Sequence, residues 1–345
     1  MKKAIALLLA LMMVLALAAC GTAQTDQPVA DQTAPKDDGS AAPQGTDANA
    51  WPNGQTITLL VPNKSGSSTD NMCRIMAAGL EKVLGTTVIV EDMEGSSGWN
   101  CWNHLLKNVE KDGLTLASVN MNIVFGQYDP TNPREFGLDD FALLANQVGD
   151  ISGIAIAPNE DRFTTLDEFV NYAKDNKLYT ALVSTGITNG DSAALEWFVQ
   201  NYGCQFEIVP VDSSNDAVSM FLGGNIDFLL ASVSNFTSLE SNGDIKTIAL
   251  FSQERSTMMP DVPTAIEQGY ELTAFSARGY AYPKGVDQAI VDKMAAAMEQ
   301  VISDPEIQEQ LANLGQETLM LVGDEYTQVL EAERTKRCTL FNVTE

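Results

Sequence analysis

Histidine and basic residues are scarce in this sequence of 345 residues. His104 is the single histidine, and 20 Lys and Arg stand against 46 Asp and Glu, which gives a formal net charge of −26. A surface this acidic repels polyphosphates and anionic headgroups, so we expect no nucleic-acid partner and no electrostatic adhesion to a membrane. Metal sites and catalytic triads built on several histidines lack their residues here, and we expect no metal and no cofactor.

Long apolar runs are also scarce, and the one that indicates where the protein is located lies at the N-terminus. Lys2 and Lys3 precede an apolar stretch over residues 4–16, and Leu17-Ala18-Ala19-Cys20 follows it. The stretch is too short to span a bilayer and is typical of a signal peptide. The ending resembles a bacterial lipoprotein signal, which implies removal of residues 1–19, a lipid on Cys20 and a position outside the cytoplasmic membrane. A plain secretory signal is the alternative.

Aromatic residues are missing from the segment that follows. Residues 21–50 consist mainly of Gln, Asp, Thr, Ala, Pro and Gly, with Val29 as the one branched apolar residue. Such a segment buries too little surface to offset its ordering entropy. We therefore expect residues 20–50 to be a lipidated cysteine and a flexible linker, with the folded part starting at Trp51.

From Trp51 onward, short apolar runs alternate with stretches of helical periodicity, the pattern of βα units. Strands are predicted over 56–61, 86–90 and 114–119, loops of small residues follow the first two, and a helix is predicted from about Asp70 to Leu84. Ligands bind such sheets at the carboxyl ends of strands, where helix N-termini attract anions. Neither loop has a nucleotide-binding fingerprint, so the pattern favours a small anion such as a carboxylate.

Several segments, in the right order, are similar to the substrate-binding receptors of the tripartite tricarboxylate transporter family. They are Ser65–Asp70, Gly95–Gly98, Asp112–Leu116, Asp140–Leu144, Ser184–Gly186, Gly223–Asp227, Pro260–Thr264 and Gly269–Tyr270. The resemblance implies an α/β fold of the two-lobed, periplasmic-binding-protein-like type II class, a Venus flytrap in which each lobe is a sheet flanked by helices. It assigns residues 51–147 plus 249–345 to lobe 1 and residues 148–248 to lobe 2.

The same resemblance implies a function. The chain would be an extracytoplasmic, lipid-anchored receptor that captures a small organic acid between the lobes and delivers it to a membrane permease. The implied ligand-binding residues are Ser67, Ser68, Thr69, Asp70, Ser97 and Gly98 from lobe 1, and Ser184, Thr185 and Asn189 from lobe 2. A receptor that presents its closed form to a signalling kinase is the alternative.

Two departures from the family pattern bear on the ligand. Asp212 and Asp216 bring carboxylates toward the predicted cleft, which disfavours a tricarboxylate and leaves a zwitterionic or amide-bearing acid as an alternative. Arg278 stands where family members commonly have apolar or aromatic residues. It could bind a ligand carboxylate through two hydrogen bonds, or it could form a salt bridge with one of these aspartates.

Four cysteines follow Cys20, an even number that allows two disulfides outside the cytoplasm. Cys73 and Cys101 both lie early in the helices that follow the two small-residue loops. We predict a disulfide between this pair.

An enzyme is the remaining class to consider. His104 lies about two turns into an amphipathic helix, and the sequence has no Gly-x-Ser-x-Gly nucleophile elbow. No paired-carboxylate motif stands out either. The sequence predicts a binding protein and not an enzyme.

Overall fold

The computed structural model describes residues 50–130, 132–183, 190–211 and 213–344. The strands are β1 (Ile57–Val61), β2 (Val88–Asp92), β3 (Thr115–Asn120), β4 (Phe141–Ile156), β5 (Leu178–Leu182), β6 (Phe206–Pro210), β7 (Leu229–Ser232), β8 (Lys246–Leu250), β9 (Phe275–Pro283) and β10 (Thr318–Val322). The helices are α1 (Ser68–Leu84), α2 (Trp99–Asn108), α3 (Asn122–Phe125), α4 (Leu166–Asp175), α5 (Gly190–Tyr202), α6 (Ser214–Leu222), α7 (Val233–Asn242), α8 (Gln288–Ile302), α9 (Pro305–Asn313) and α10 (Asp324–Leu340). The predicted α/β class is confirmed.

The strands form a larger sheet, to which the long strand β4 belongs, and a smaller sheet. The larger sheet has the order β10-β4-β9-β3-β1-β2, and β7 and β8 also pair with β4. Strand β1 is parallel to β2 and β3, whereas β9 is antiparallel to both β3 and β4. The first part of β4 pairs with β9 and β10, and its last residues pair with β7 and β8. The smaller sheet is the parallel pair β5-β6.

Strand β1 shows how the apolar pattern builds the layers on both faces of the sheet. Ile57, Leu59 and Val61 belong to one buried cluster together with residues of α1 and α8. Leu60 belongs to a second cluster together with residues of α2. Successive side chains of a strand point to opposite faces, so the sheet is covered by helices on both sides. Within the described ranges, every helix falls short of the length and apolarity needed to cross a membrane.

Two further buried clusters are drawn from residues 151–274. Phe251, Val262 and Tyr270 belong to them, so the segment 249–274 packs with residues 151–248. This differs from the sequence assignment, which grouped residues 249–345 with the N-terminal part of the fold. The described residues as a whole form one compact unit.

The predicted disulfide between Cys73 and Cys101 is wrong in this structure, because both residues are buried thiols. Cys73 lies in α1 and packs with the odd-numbered side chains of β1. Cys101 lies in α2 and packs in the cluster of Leu60, on the other face of the sheet. The two helices follow neighbouring strands, as predicted, but the sheet separates their buried faces.

Candidate functional site

A cavity of about 420 Å³ lies where the strand ends, the crossing strands β4 and β9 and several helix N-termini meet. Its polar lining residues are Asn63, Thr69, Asn120, Asn122, Asp150, Ser152, Asp191, Ser214, Ser232, Asn235, Ser276, Arg278 and Arg337. Apolar side chains such as Leu182, Leu230 and Phe275 complete the wall. The volume falls in the range typical of sites for small molecules.

Helix N-termini point their first residues at this cavity. Thr69 lies in the first turn of α1, Gly190 and Ser214 begin α5 and α6, and Ser232 is the N-cap of α7. The first N–H groups of a helix have no acceptor within the helix, and the helix dipole places partial positive charge there. The converging N-termini therefore favour an anion in the cavity.

Arg278 contributes a cationic side chain from β9. Its Nη2 lies 3.0 Å from Oδ2 of Asp150 on β4, and its Nη1 donates to Ser68 Oγ at 3.2 Å. Ser234 Oγ donates in turn to Asp150 Oδ1 at 3.1 Å. Arg278 thus pairs with Asp150, whereas the sequence suggested Asp212 or Asp216, and the ion pair lies within the cavity wall.

Asp191 brings a second carboxylate to the cavity, in the first turn of α5. Ser152 Oγ donates to its Oδ1 at 2.7 Å. Burial raises the pKa of Asp191 to about 6, the negative charge of Asp150 acts in the same direction, and Ser152 and Arg337 oppose them. A carboxylate that holds its proton more tightly than usual therefore lines the site.

Arg337, from α10, is the second cation of the cavity. Its guanidinium lies 4.2 Å from the ring centroid of Phe125, and its Nε lies 3.6 Å from Glu333 Oε2. Its side chain is 3% exposed. Burial lowers the pKa of Arg337, while Glu333 and Asp191 counteract that shift. Among the described lining residues, two arginines and two aspartates therefore place positive and negative charge in the cavity in equal number.

The predicted residues at the start of α1 divide into two roles. Thr69 lines the cavity, and Ser68 bonds to Arg278. Ser67 is the N-cap of α1 and accepts from the Asp70 N–H at 3.2 Å. The Asp70 carboxylate is buried, accepts from the Gly66 N–H at 2.7 Å and pairs with Arg74 at 2.8 Å.

Asp70 is therefore a capping residue and does not line the cavity, contrary to the prediction. Burial by itself would raise the pKa of its carboxyl, but the bonds from Arg74 and Gly66 outweigh it, and the pKa is lowered. An ionised carboxylate at this position stabilises the N-terminus of α1.

Ser97 and Gly98 lie beside the cavity rather than in it. They line an adjoining recess of about 390 Å³ that shares Asn63, Asn120 and Asn122 with the cavity. Asn122 Nδ2 donates to the Ser97 carbonyl at 3.1 Å, which ties this loop to the start of α3. The two predicted residues therefore border the same site through the asparagines.

The remaining predictions fall outside the described residues. These are Ser184, Thr185, Asn189 and Asp212, together with the lipidation site Cys20. Asp216 is described: it accepts from Ser213 Oγ at 2.7 Å at the start of α6 and is not a lining residue.

Sequence reasoning missed most of the polar lining residues, among them Asn120, Asn122, Asp150, Asp191 and Arg337. The two asparagines had a usable signal, because they end β3 and begin α3, at the same sheet edge as the predicted loops. Asp191 also had a signal, because it lies two residues after the predicted site residue Asn189, in the first turn of α5. Asp150 and Arg337 had none, since Asp150 lies in an apolar strand and Arg337 lies in a polar C-terminal helix.

His104 has a local role in α2, where its Nδ1 lies 3.3 Å from Asn108 Nδ2. It is not among the lining residues. Over the ranges that the structure describes, no group of three or more His, Cys, Asp and Glu is arranged to hold a metal ion.

Comparison with known proteins gives a consistent result. The family model described as "Tripartite tricarboxylate transporter family receptor" matches residues 72–343. A Cupriavidus necator protein, "UPF0065 protein in gbd 5'region", is 27% identical over 298 residues, which cover 86% of this chain and 89% of that one.

Solved structures share the fold. A TctC solute binding protein from Polaromonas superposes with a TM-score of 0.76 at 23% identity, covering 83% of this chain and 98% of that chain. MatC from Rhodopseudomonas palustris, solved with bound malate, superposes with a TM-score of 0.61 at 21% identity, covering 83% and 98%. The chain therefore belongs to the receptors of the tripartite tricarboxylate transporter family, which are solute-binding proteins and not enzymes.

Proposed function

We propose that this protein is an extracytoplasmic receptor that captures a small carboxylate in the cavity of about 420 Å³ and delivers it to a membrane permease. The observation that carries the proposal is the meeting of helix N-termini with Arg278 and Arg337 at one cavity. Both features favour a carboxylate. Malate bound to a protein of the same fold supports this ligand class, and the family description supports the permease.

The receptor works, on this proposal, as two lobes that close on the ligand. Lobe 1 is residues 51–147 with the C-terminal part of the chain, and lobe 2 begins at residue 148. The buried clusters support a second crossover in β9, later than residue 249, because residues 249–274 pack with residues 151–248. Thr69 and Arg278 would then contact the ligand from lobe 1, and the N-terminus of α5 would contact it from lobe 2.

The anchor is a lipid on Cys20, after removal of residues 1–19. The support is the sequence itself: a basic start, an apolar stretch and Leu17-Ala18-Ala19-Cys20. Intact-mass measurement of protein extracted from membranes tests this, with Cys20→Ser as the variant that should be released into the soluble fraction. A wild-type protein that is cleaved but carries no added lipid would rule the anchor out.

The ligand class is tested with purified soluble protein lacking residues 1–20. Native mass spectrometry identifies any copurified small molecule, and titration calorimetry then compares malate, a tricarboxylate and the diamide of malate. We expect the dicarboxylate to bind and the diamide to fail, because the amide has no charge for the helix N-termini and Arg278 to attract. Equal binding of the acid and the diamide would contradict the proposal.

A further inference from the structure

Asp191 occupies an unexpected place for an anion receptor. It follows Gly190 at the N-terminus of α5, where a bound carboxylate would be attracted, and it lines the same cavity. Its Oδ1 accepts from Ser152 Oγ at 2.7 Å. A negative side chain is thus built into the place that would receive a negative ligand.

The charged groups around Asp191 come from three elements. Asp150 lies on β4, two residues before Ser152, and pairs with Arg278 of β9 at 3.0 Å. Arg337 faces the cavity from α10, with Glu333 3.6 Å away on the same helix. Asp150 acts on Asp191 as a like charge and Arg337 as an opposite one.

These pairings leave little spare positive charge for a ligand. Asp150 offsets Arg278, and Asp191 and Glu333 both act on Arg337. A carboxylate entering the cavity lies within the range over which charges interact, about 8–10 Å in physiological salt. Its charge therefore raises the free energy of every ionised carboxylate in the wall.

Among the described lining residues, Asp191 is a carboxyl group that already favours its protonated form more than an exposed aspartate does. Burial already raises its pKa to about 6, and a nearby negative ligand acts in the same direction. Asp150 forms an ion pair with Arg278, whose Nη2 lies 3.0 Å from Oδ2 of the carboxylate.

We propose that Asp191 takes up a proton from solvent when a carboxylate ligand binds, so that the receptor captures the anion together with a proton. The inference rests on the proposed function. The proton adds to the Asp191 carboxylate, no other bond changes, and the charge of the ligand is offset inside the cavity. Asp191 thereby determines how the affinity for the carboxylate ligand depends on pH.

The direction in which pH changes the ligand affinity follows from the number of protons that the receptor binds with and without ligand. Below about pH 6 Asp191 is protonated both with and without ligand, and the affinity is highest and independent of pH. At higher pH the free receptor has lost the proton that the complex retains, so binding must take up a proton. The affinity then falls as pH rises.

The test is calorimetric titration with malate at about pH 6.5 and about pH 8.5, a range in which free carboxyl groups stay ionised. We expect the wild-type affinity to fall by about tenfold across this range. Asp191→Asn should bind with the same affinity at both values, close to that of the wild type at the lower pH. Glu196→Gln, which removes a carboxylate from the same helix outside the cavity, should retain the wild-type pH dependence.

A second measurement needs no variant. Wild-type titrations near neutral pH in two buffers with different ionisation enthalpies report the number of protons taken up on binding. We expect uptake of a fraction of one proton, up to one. Malate binding with no pH dependence and no proton uptake overturns the inference while leaving the proposed function intact. Failure of every carboxylate to bind at any pH overturns the proposed function as well.

Discussion

Arg278 and Asp150 face each other from adjacent strands, with Nη2 of the guanidinium 3.0 Å from Oδ2 of the carboxylate. The side chains are 22% and 12% exposed, so water only partly screens the pair. Arg278 also donates to Ser68 at the start of α1, and Asp150 also accepts from Ser234 in α7. One ion pair thus connects β9, β4 and two helix N-termini at the cavity.

Neutral substitutions of the two members of this ion pair should change the malate affinity in opposite directions. On the proposed function, Arg278→Gln should weaken malate binding by roughly tenfold or more, since hydrogen bonds to charged groups contribute about 1.5–3 kcal/mol. Asp150→Asn should strengthen it by roughly fivefold, because Arg278 is then freed from a competing carboxylate. Calorimetric titration measures both.

Arg255→Gln is the matched control for the first change. Arg255 pairs with Glu267 at 2.9 Å with both side chains more than 40% exposed, and it does not line the cavity. It should leave the malate affinity unchanged. Weaker binding in Asp150→Asn would contradict the second expectation and would mean that Asp150 serves to orient Arg278.

The local elements of the fold were largely predictable. A strand predicted over 56–61 is observed as β1 (Ile57–Val61), and a helix predicted from Asp70 to Leu84 begins at Ser68. The two-residue difference arises because Ser67 is the N-cap, a position that needs a side-chain acceptor and not an apolar residue.

The long strand β4 was not predictable as one element. The sequence shows two apolar pieces, and the polar residues between them suggest a break. In the structure Asn146 Nδ2 donates to the Leu319 carbonyl at 2.6 Å, and Gln147 Oε1 accepts from Tyr280 at 2.6 Å. These partners lie far away in the chain, so no local pattern could show that the polar residues would be buried and bonded.

The candidate site was likewise only partly predictable from local sequence patterns. Arg278 was identified from its departure from the family pattern, but its partner Asp150 is 128 residues away in the chain. Loops at the carboxyl ends of strands are legible in a sequence because topology brings them together. Pairs of charged side chains from crossing strands become visible only in three dimensions.

Arg337 yields a prediction about stability. Arg337→Met keeps much of the side-chain volume but removes the guanidinium that lies over Phe125 and beside Glu333. Removing one member of a buried pair costs about 3–5 kcal/mol, and we expect the lower end because Lys336 Nζ still lies 3.4 Å from Glu333. Urea unfolding measures the free energy of unfolding.

Arg255→Met is the control, since exposed ion pairs contribute about 0–1 kcal/mol. Adding Glu333→Gln to Arg337→Met should recover part of the lost free energy of unfolding, because the amide at position 333 then needs no guanidinium to balance a negative charge. A change below about 1 kcal/mol in Arg337→Met would show that burial of the guanidinium costs as much as its contacts return.

The buried thiols predict a loss of stability at high pH. Burial raises the pKa of both Cys73 and Cys101 to about 12, whereas a thiol in the unfolded chain has a pKa of about 8.5. Between these values the folded chain holds protons that the unfolded chain has lost. The stabilisation is therefore complete below about pH 8.5, and it falls as pH rises, by up to about 1.4 kcal/mol per thiol for each pH unit.

Urea unfolding between about pH 8 and about pH 10 measures this slope, before the buried tyrosines contribute. Cys73→Ala should lower the overall stability by leaving a small cavity. It should also make the dependence of the unfolding free energy on pH shallower, by the contribution of one thiol. The slope, unlike the absolute stability, separates titration of the thiol from loss of packing. The same slope in Cys73→Ala and wild type would contradict the prediction, because it would mean that this thiol ionises equally in the folded and unfolded states despite its burial between α1 and the sheet.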